Sequence, residues 1–410
     1  MSPPVGLLRD RSFRLLWSAQ SLSSFGDALT SLALLLITQR LTGSTTAVAA
    51  TAIAIALPQL LIGLAAGVLV DRWNRRRVMI ASDLVRALLV LGFLAVTTTD
   101  RLWLLFVLAF AQSSVGTFFS PARAALIAEV LPRDRLLPAN SLSDMSRVVA
   151  GVAGFGAAGA LASTSSSLGV VFVADSATFL ASAALVASVR AGGRARHAPD
   201  RGRILAELAA GLRLVLRTPI LGGVVIAATV AMFGLGAANV VLVPFVVEEL
   251  GASEAWFGAL EGAQVAAMVL AGTLVAAFAS RARPTRLVTA GMLGLGASVG
   301  AMAASGSAWQ LMILLFAAGW FVTPVQASVT TILQTEVPPN FRGRAHASLA
   351  TLVSGGNLVS MSLAGFFAGP AGIRPVFVLA GALVVVAGVA SHLAFGSAEA
   401  VSRTALVEAS

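Results

Sequence analysis

The sequence predicts an all-α membrane protein: twelve transmembrane helices arranged as two pseudo-symmetric six-helix bundles. Three observations lead there. Of the 410 residues, 57% are hydrophobic and only 11% charged, against about 25% charged in an ordinary soluble domain, so most of the surface must face lipid. Apolar runs close to the ~20 residues needed to cross the hydrocarbon recur along the chain. A shift of 207 residues lays Glu129-Val-Leu-Pro132, Arg135 and Ser141-Leu142 on Glu336-Val-Pro-Pro339, Arg342 and Ser348-Leu349, which is the mark of an internal repeat.

In chain order the first six spans are expected at 13–38, 46–70, 78–98, 102–121, 139–162 and 168–190, and the second six at 219–247, 255–279, 285–304, 308–332, 344–369 and 373–395. The first bundle is therefore 1–190 and the second 219–398, with a tail at 399–410. Between them 191–218 reads as an arginine-rich linker, in which Ile204–Leu216 is amphipathic and suited to lie along the inner membrane surface. The start, Met1-Ser-Pro-Pro-Val-Gly-Leu-Leu-Arg-Asp-Arg, lacks the pattern of a cleavable signal, so the first span is expected to stay. With the N-terminus inside, every arginine except Arg40, Arg101 and Arg374 falls in inner loops, helix ends or tails, and the positive-inside rule puts both termini in the cytoplasm.

There is no Cys, which removes disulfides, thiol nucleophiles and thiolate metal sites, and the three histidines, His197, His346 and His392, are too scattered to ligate together. All basic residues are Arg, so the lysine of an ATP-binding loop is missing; no enzyme activity and no cofactor or metal is expected. The net charge of +10 is explained by inner loops without any nucleic acid partner. Lysine-free, alanine- and glycine-rich coding points to a high-GC bacterium.

The turn between the second and third spans, Gly67-Val-Leu-Val-Asp-Arg-Trp-Asn-Arg-Arg-Arg-Val-Met-Ile80, places an acid at a fixed offset inside a basic cluster. It resembles the signature loop of major facilitator superfamily transporters, with Gly67, Asp71, Arg72, Arg75 and Arg76 matching. Asn74 stands where the family has glycine, a substitution that left-handed turn geometry would tolerate. Gly272–Arg281 occupies the same place in the second half, with alanine at both the Asp71 and Arg72 positions. Phe119-Ser-Pro-Ala-Arg123, Leu131–Ser141 and Pro339-Asn-Phe-Arg-Gly-Arg344 resemble the branch that holds macrolide-efflux and enterobactin-exporter-like proteins.

The resemblance implies a carrier working by alternating access, most simply proton-coupled efflux of an amphiphilic molecule such as a macrolide-like antibiotic or a siderophore, with multidrug resistance as its phenotype. The partners would be that small molecule, protons and membrane lipid, and the chain would act as a monomer in a bacterial inner membrane. Uptake or lysolipid flipping by the same fold, and a non-transporting receptor, are the alternatives. It further implies a latch in which Asp71 approaches the start of the eleventh helix near Arg342, helped by Arg72, Arg76 and Arg147.

Acids inside spans carry the rest, because an embedded charge costs about 2.5 to 3.5 kcal/mol at a helix centre. Gln20, Ser24, Asp27 and Ser31 recur at helical spacing and share one face, which should line a wet cavity. Asp27 is read as a proton or cation site or as a structural acid; Asp175 and Glu261 are further proton or substrate candidates. Asp83 with Arg86, and Asp144 with Arg147, are spaced for intrahelical salt bridges. Gly151, Gly154, Gly156 and Gly159 suit close helix packing in lipid. Gln112 and Gly116 occur without the arginine that many drug/proton antiporters carry beside the glutamine. Phe25, Phe118, Phe233 and Phe321 are expected around a greasy cavity.

Overall fold

The structure, a computed structural model, describes residues 4–164, 168–190, 219–278, 283–337 and 342–408. The expected linker 191–218 with its amphipathic stretch lies outside the described residues. Those described are helical and contain no strand. They form α1 (Arg11–Thr42), α2 (Thr45–Arg72), α3 (Arg75–Gly92), α4 (Leu102–Val130), α5 (Arg133–Thr164) and α6 (Gly169–Ala187). Then come α7 (Pro219–Pro244), α8 (Trp256–Phe278), α9 (Pro284–Ala301), α10 (Ala308–Glu336), α11 (Arg342–Ala371) and α12 (Ile373–Glu408). Twelve spans among them are long and apolar enough to cross a membrane, which makes this a multi-pass membrane protein.

Local signals explain the boundaries. The Asp10 carboxylate accepts from the Phe13 amide at 2.9 Å to start α1, and Gly43, at φ 56, closes it in the left-handed conformation that favours glycine. Gly372, at φ 85, turns the chain between α11 and α12. Asn74 serves the α2–α3 turn differently from the sequence reading: its φ is −70, and its side chain accepts from the Arg77 amide as the N-cap of α3. A capping acceptor, not left-handed geometry, is what this position requires. Pro121 does not end the fourth span, since α4 continues to Val130 with the proline inside it. A membrane helix tolerates this because neighbouring helices and side chains satisfy the freed backbone groups. Likewise α12 stays helical to Glu408, through most of what was expected to be a tail.

The chain divides into two compact units, residues 1–199 with 253–261, and residues 200–252 with 262–410. In the first, α1 packs on α5 and α6, α3 on α4 and α6, and α2 on α4. In the second, α7 packs on α11 and α12, and α9 on α10 and α12. Thr323 on α10 donates to the Met268 carbonyl of α8 at 3.1 Å, which completes the same set of pairings. At one end of the first unit Phe13, Leu16, Met79, Phe119, Leu126, Ile127 and Val186 form a buried cluster.

The basic turn is part of this packing. Arg75 is buried and pairs with Glu129 at 2.7 Å, fastening the start of α3 to the end of α4. Arg76 donates to the carbonyls of Val186 and Ala187 at the end of α6, the first of which also accepts from the Val189 amide. Arg76 thus ties the start of α3 to the end of α6. Arg72 is exposed, and the side chains of Asp71 and Arg342 lie outside the described residues. Gly67 has no neighbour that would meet a Cβ.

The four glycines of α5 are not equivalent. A Cβ on Gly154 would stand 2.5 Å from the Phe25 carbonyl oxygen and 2.7 Å from Ala28 Cβ, so α1 and α5 touch nearly backbone to backbone. A Cβ on Gly151 would meet nothing within 4 Å. Gly154→Ala is therefore expected to lower stability by about 1–3 kcal/mol through overpacking. Gly151→Ala is expected to leave it unchanged or to raise it slightly through helix propensity. Thermal unfolding of the two purified variants measures the difference.

Candidate functional site

In the first unit α1, α2, α4 and α5 line, with Arg86 of α3, a half-open cavity of about 320 Å³. Gln20, Ser24, Asp27 and Ser31 all line it, joined by Ser23, Thr30, Gln59, Gln112, Ser113, Thr117 and Ser120. Most of these residues carry hydroxyl, amide or charged groups, although the surface they present to the cavity is more apolar than polar. None of the four phenylalanines expected around a greasy cavity lines it; Phe119 does. Phe118, one residue and about 100° away on the helix, stacks instead on Trp73, with ring centroids 6.1 Å apart. Phe321 lies against Gly294, where a Cβ would be 2.5 Å from its ring atoms.

Arg86 is the centre of the site. Its side chain is 3% exposed, and its Nη2 donates to Asp83 Oδ1 at 2.6 Å and to Ser23 Oγ at 3.1 Å. Its Nη1 donates to both carboxylate oxygens of Asp27 at 3.1 Å. Asp83 is wholly buried and takes a second hydrogen bond from Ser182 at 2.6 Å. Phe179 and Phe119 lie across the guanidinium, with centroids 4.3 and 5.0 Å from its carbon. Asp27, by contrast, is 46% exposed and faces the cavity. The spacing of Asp83 and Arg86 announces their own bridge, but the Asp27 contact spans 59 residues and has no local signal. Arg86 also passes Gly116, where a Cβ would lie 3.7 Å from its Cδ. Arg86 thus reaches from α3 to the Gly116 turn of α4, and both it and Gln112 line the cavity.

Asp175 does not line the cavity. It is fully buried, accepts from Thr30 at 2.5 Å and from Thr178 at 3.1 Å, and pairs locally across α1 and α6. Glu261, half-buried on α8, is outside the lining as well. Asp144 and Arg147 form no ion pair among the described residues, contrary to their spacing. Both are exposed, so solvation competes with a contact worth only tenths of a kcal/mol, and Arg147 joins the cavity wall. Arg123 lines it too, donating to Gln20 Oε1 at 2.5 Å, while Gln20 Nε2 donates to the Ser143 carbonyl at 3.1 Å. Arg86, Arg123 and Arg147 thus lie within the bodies of helices, more than a turn from either end, and not in loops. No group of acids and histidines among the described residues could hold a metal ion.

Comparison with known proteins agrees with this architecture. The sequence pattern of the transmembrane secretion effector family matches residues 2–405. The MFS-type transporter YfiS of Bacillus subtilis is 26% identical, over 96% of this chain and 94% of its own. Macrolide efflux protein A of Streptococcus pyogenes is 22% identical over 91% and 93%, and the multidrug efflux pump Tap of Mycolicibacterium fortuitum 27% over 86% and 88%. Among solved structures, a bacterial homologue of the human lysosomal transporter Spinster in its inward-facing, unoccupied conformation superposes with a TM-score of 0.72 at 16% identity, covering 96% of this chain and 97% of that one. A peptide transporter POT in complex with sulfate gives 0.77 at 11% identity, covering 97% and 99%. At these identities the structures speak for the fold alone.

Removing the guanidinium would leave Asp83 sealed in the bundle without its counter-ion. Arg86→Gln is expected to cost about 3–5 kcal/mol for that reason. Adding Asp83→Asn should restore a large part of the loss, because the stranded charge is then gone. Unfolding midpoints of the single and double variants, purified in the same detergent, test this.

Proposed function

This chain belongs to the major facilitator superfamily, in its transmembrane secretion effector family, and on that premise we propose that it exports amphiphilic small molecules across a bacterial cytoplasmic membrane in exchange for protons. The observation that carries the coupling is the surplus carboxylate at Arg86: one guanidinium faces two acids, of which Asp83 is sealed in and Asp27 opens on the cavity. With a proton on Asp27, Arg86 and Asp83 form a neutral pair. Without it the trio carries one uncompensated negative charge inside a spanning bundle, a state that costs free energy. A proton or a positively charged group arriving through the cavity relieves that cost, and departure of the proton restores it. The group that exchanges is the one with access to the cavity, and the fixed pair behind it gives the exchange a constant electrostatic background.

Export is supported by the relatives named for macrolide and multidrug efflux, and alternating access about a mid-membrane site is how this fold works. In this reading both termini are cytoplasmic, the working unit is a monomer, and the cavity of the first unit contributes part of the substrate path. Gln20, Ser24 and Ser31 act as hydrogen-bonding wall groups, and Asp175 serves as a structural acid.

Asp27→Asn removes the exchangeable proton while leaving the Arg86–Asp83 pair intact. In inverted vesicles carrying this variant, gradient-driven accumulation of an amphiphilic reporter should fall by about ten-fold or more, in line with losing a group that acts as proton acceptor. Gradient-independent exchange of the same reporter should persist. Undiminished gradient-driven accumulation would show that coupling runs through another group.

A further inference from the structure

We infer that the Arg123 and Arg147 end of the cavity is an anion-binding subsite, so that the exported amphiphile carries an acidic headgroup, a carboxylate or a phosphate. The word exported rests on the preceding reading; the subsite rests on geometry alone. Three guanidinium groups and one carboxylate line the cavity. Arg86 is already committed to Asp27 and Asp83. Arg123 and Arg147 have no carboxylate within ion-pair distance among the described residues. What holds Arg123 is the neutral amide of Gln20, itself anchored on the Ser143 carbonyl. That contact orients the guanidinium without cancelling its charge, and it uses one of five N–H donors. Asp144 lies close enough for its field to reach Arg123, but it is exposed and bridges neither arginine.

The cavity is also graded from one end to the other. Along α1 its wall runs from Gln20 to Leu34, about 21 Å at the helical rise. Arg123 sits at the Gln20 end, bonded to it, whereas Leu34 of α1 and Ile55 of α2 belong to the opposite end. A molecule with an anionic head and an aliphatic body fits that gradient. A cationic head would meet two like charges at the arginine end. Arginine in this role offers paired donors matched to carboxylate and phosphate oxygens. Arg123, half-buried and held only by a neutral amide, is the costlier of the two to keep charged, and such a use offsets that cost.

The test is binding, with no gradient, of three probes sharing a dodecyl chain: dodecyl phosphate, dodecyltrimethylammonium and dodecyl maltoside. The full chain is reconstituted in nanodiscs, with empty nanodiscs subtracted. Dodecyl phosphate should bind about ten-fold or more tighter than the ammonium probe. Arg123→Gln and Arg147→Gln should each weaken it about five-fold or more, as for loss of a charge-assisted contact. Arg123→Lys, which keeps the charge, should retain the preference if Arg123→Gln proves poorly folded by gel filtration. Equal binding of the three probes, a preference for the ammonium, or a phosphate preference that survives both glutamine variants overturns the subsite. Displacement of dodecyl phosphate by inorganic phosphate supports the subsite and assigns it to soluble acidic compounds; resistance to displacement supports it and assigns it to membrane-borne headgroups. Absent headgroup preference beside intact gradient-driven flux defeats the subsite and leaves export standing, whereas intact preference without flux does the reverse.

Discussion

A guanidinium sealed from water inside a lipid-spanning bundle has to be neutralised, and the way the buried Arg86 is neutralised organises the first unit. Asp83, one turn away on the same helix, holds it in place, and Ser182 of α6 satisfies the remaining oxygen of that carboxylate. Two phenyl rings, from α4 and α6, cover the guanidinium. Asp27 of α1 then binds the outer nitrogen. One charged side chain therefore links α1, α3, α4 and α6, and its requirements explain why these helices carry polar residues where lipid-facing ones would not.

Much of the fold is legible in the sequence because the bilayer permits few solutions: apolar runs of the right length must be helices, and the 207-residue repeat pairs their halves. The face Gln20, Ser24, Asp27 and Ser31 is legible for the same reason, since helical periodicity alone puts these residues together. The Asp27–Arg86 contact is not, because it depends on how α1 and α3 are rotated against each other, and packing sets that. The local Asp83–Arg86 spacing even conceals it, by making Arg86 look already satisfied. Asp144 and Arg147 show the converse: identical spacing on an exposed stretch yields no bridge, since water serves each charge as well. Phe118 and Phe119 differ by one step of helical rotation, which no composition argument resolves. Asn74 was readable as a turn residue, but its capping bond to Arg77 follows from where α3 starts.

The wall of the cavity changes what recognition can mean. Aromatic burial would reward any greasy molecule in proportion to its area. Here apolar surface alternates with hydroxyls, amides and guanidinium groups, and those polar groups favour a ligand that returns hydrogen bonds and charge, because each of them gives up water when the site fills. Thr30 belongs to both worlds, forming part of the wall while donating to the enclosed Asp175. Gly26 makes that arrangement possible, for a Cβ there would stand 2.0 Å from the Asp175 oxygen.

The two units repeat one set of helix pairings, yet among the described residues the buried Asp83, Arg86 and Asp175 all belong to the first. In α7 and α9, the counterparts of α1 and α3, Arg286 near the start of α9 is the sole charged residue. A symmetric ancestor made of two copies of either unit would have carried this costly chemistry twice or not at all. One repeat is enough to hold that chemistry, and in the other small residues serve close packing instead, as the backbone approach of Gly381 to Gly296 and Gly300 illustrates.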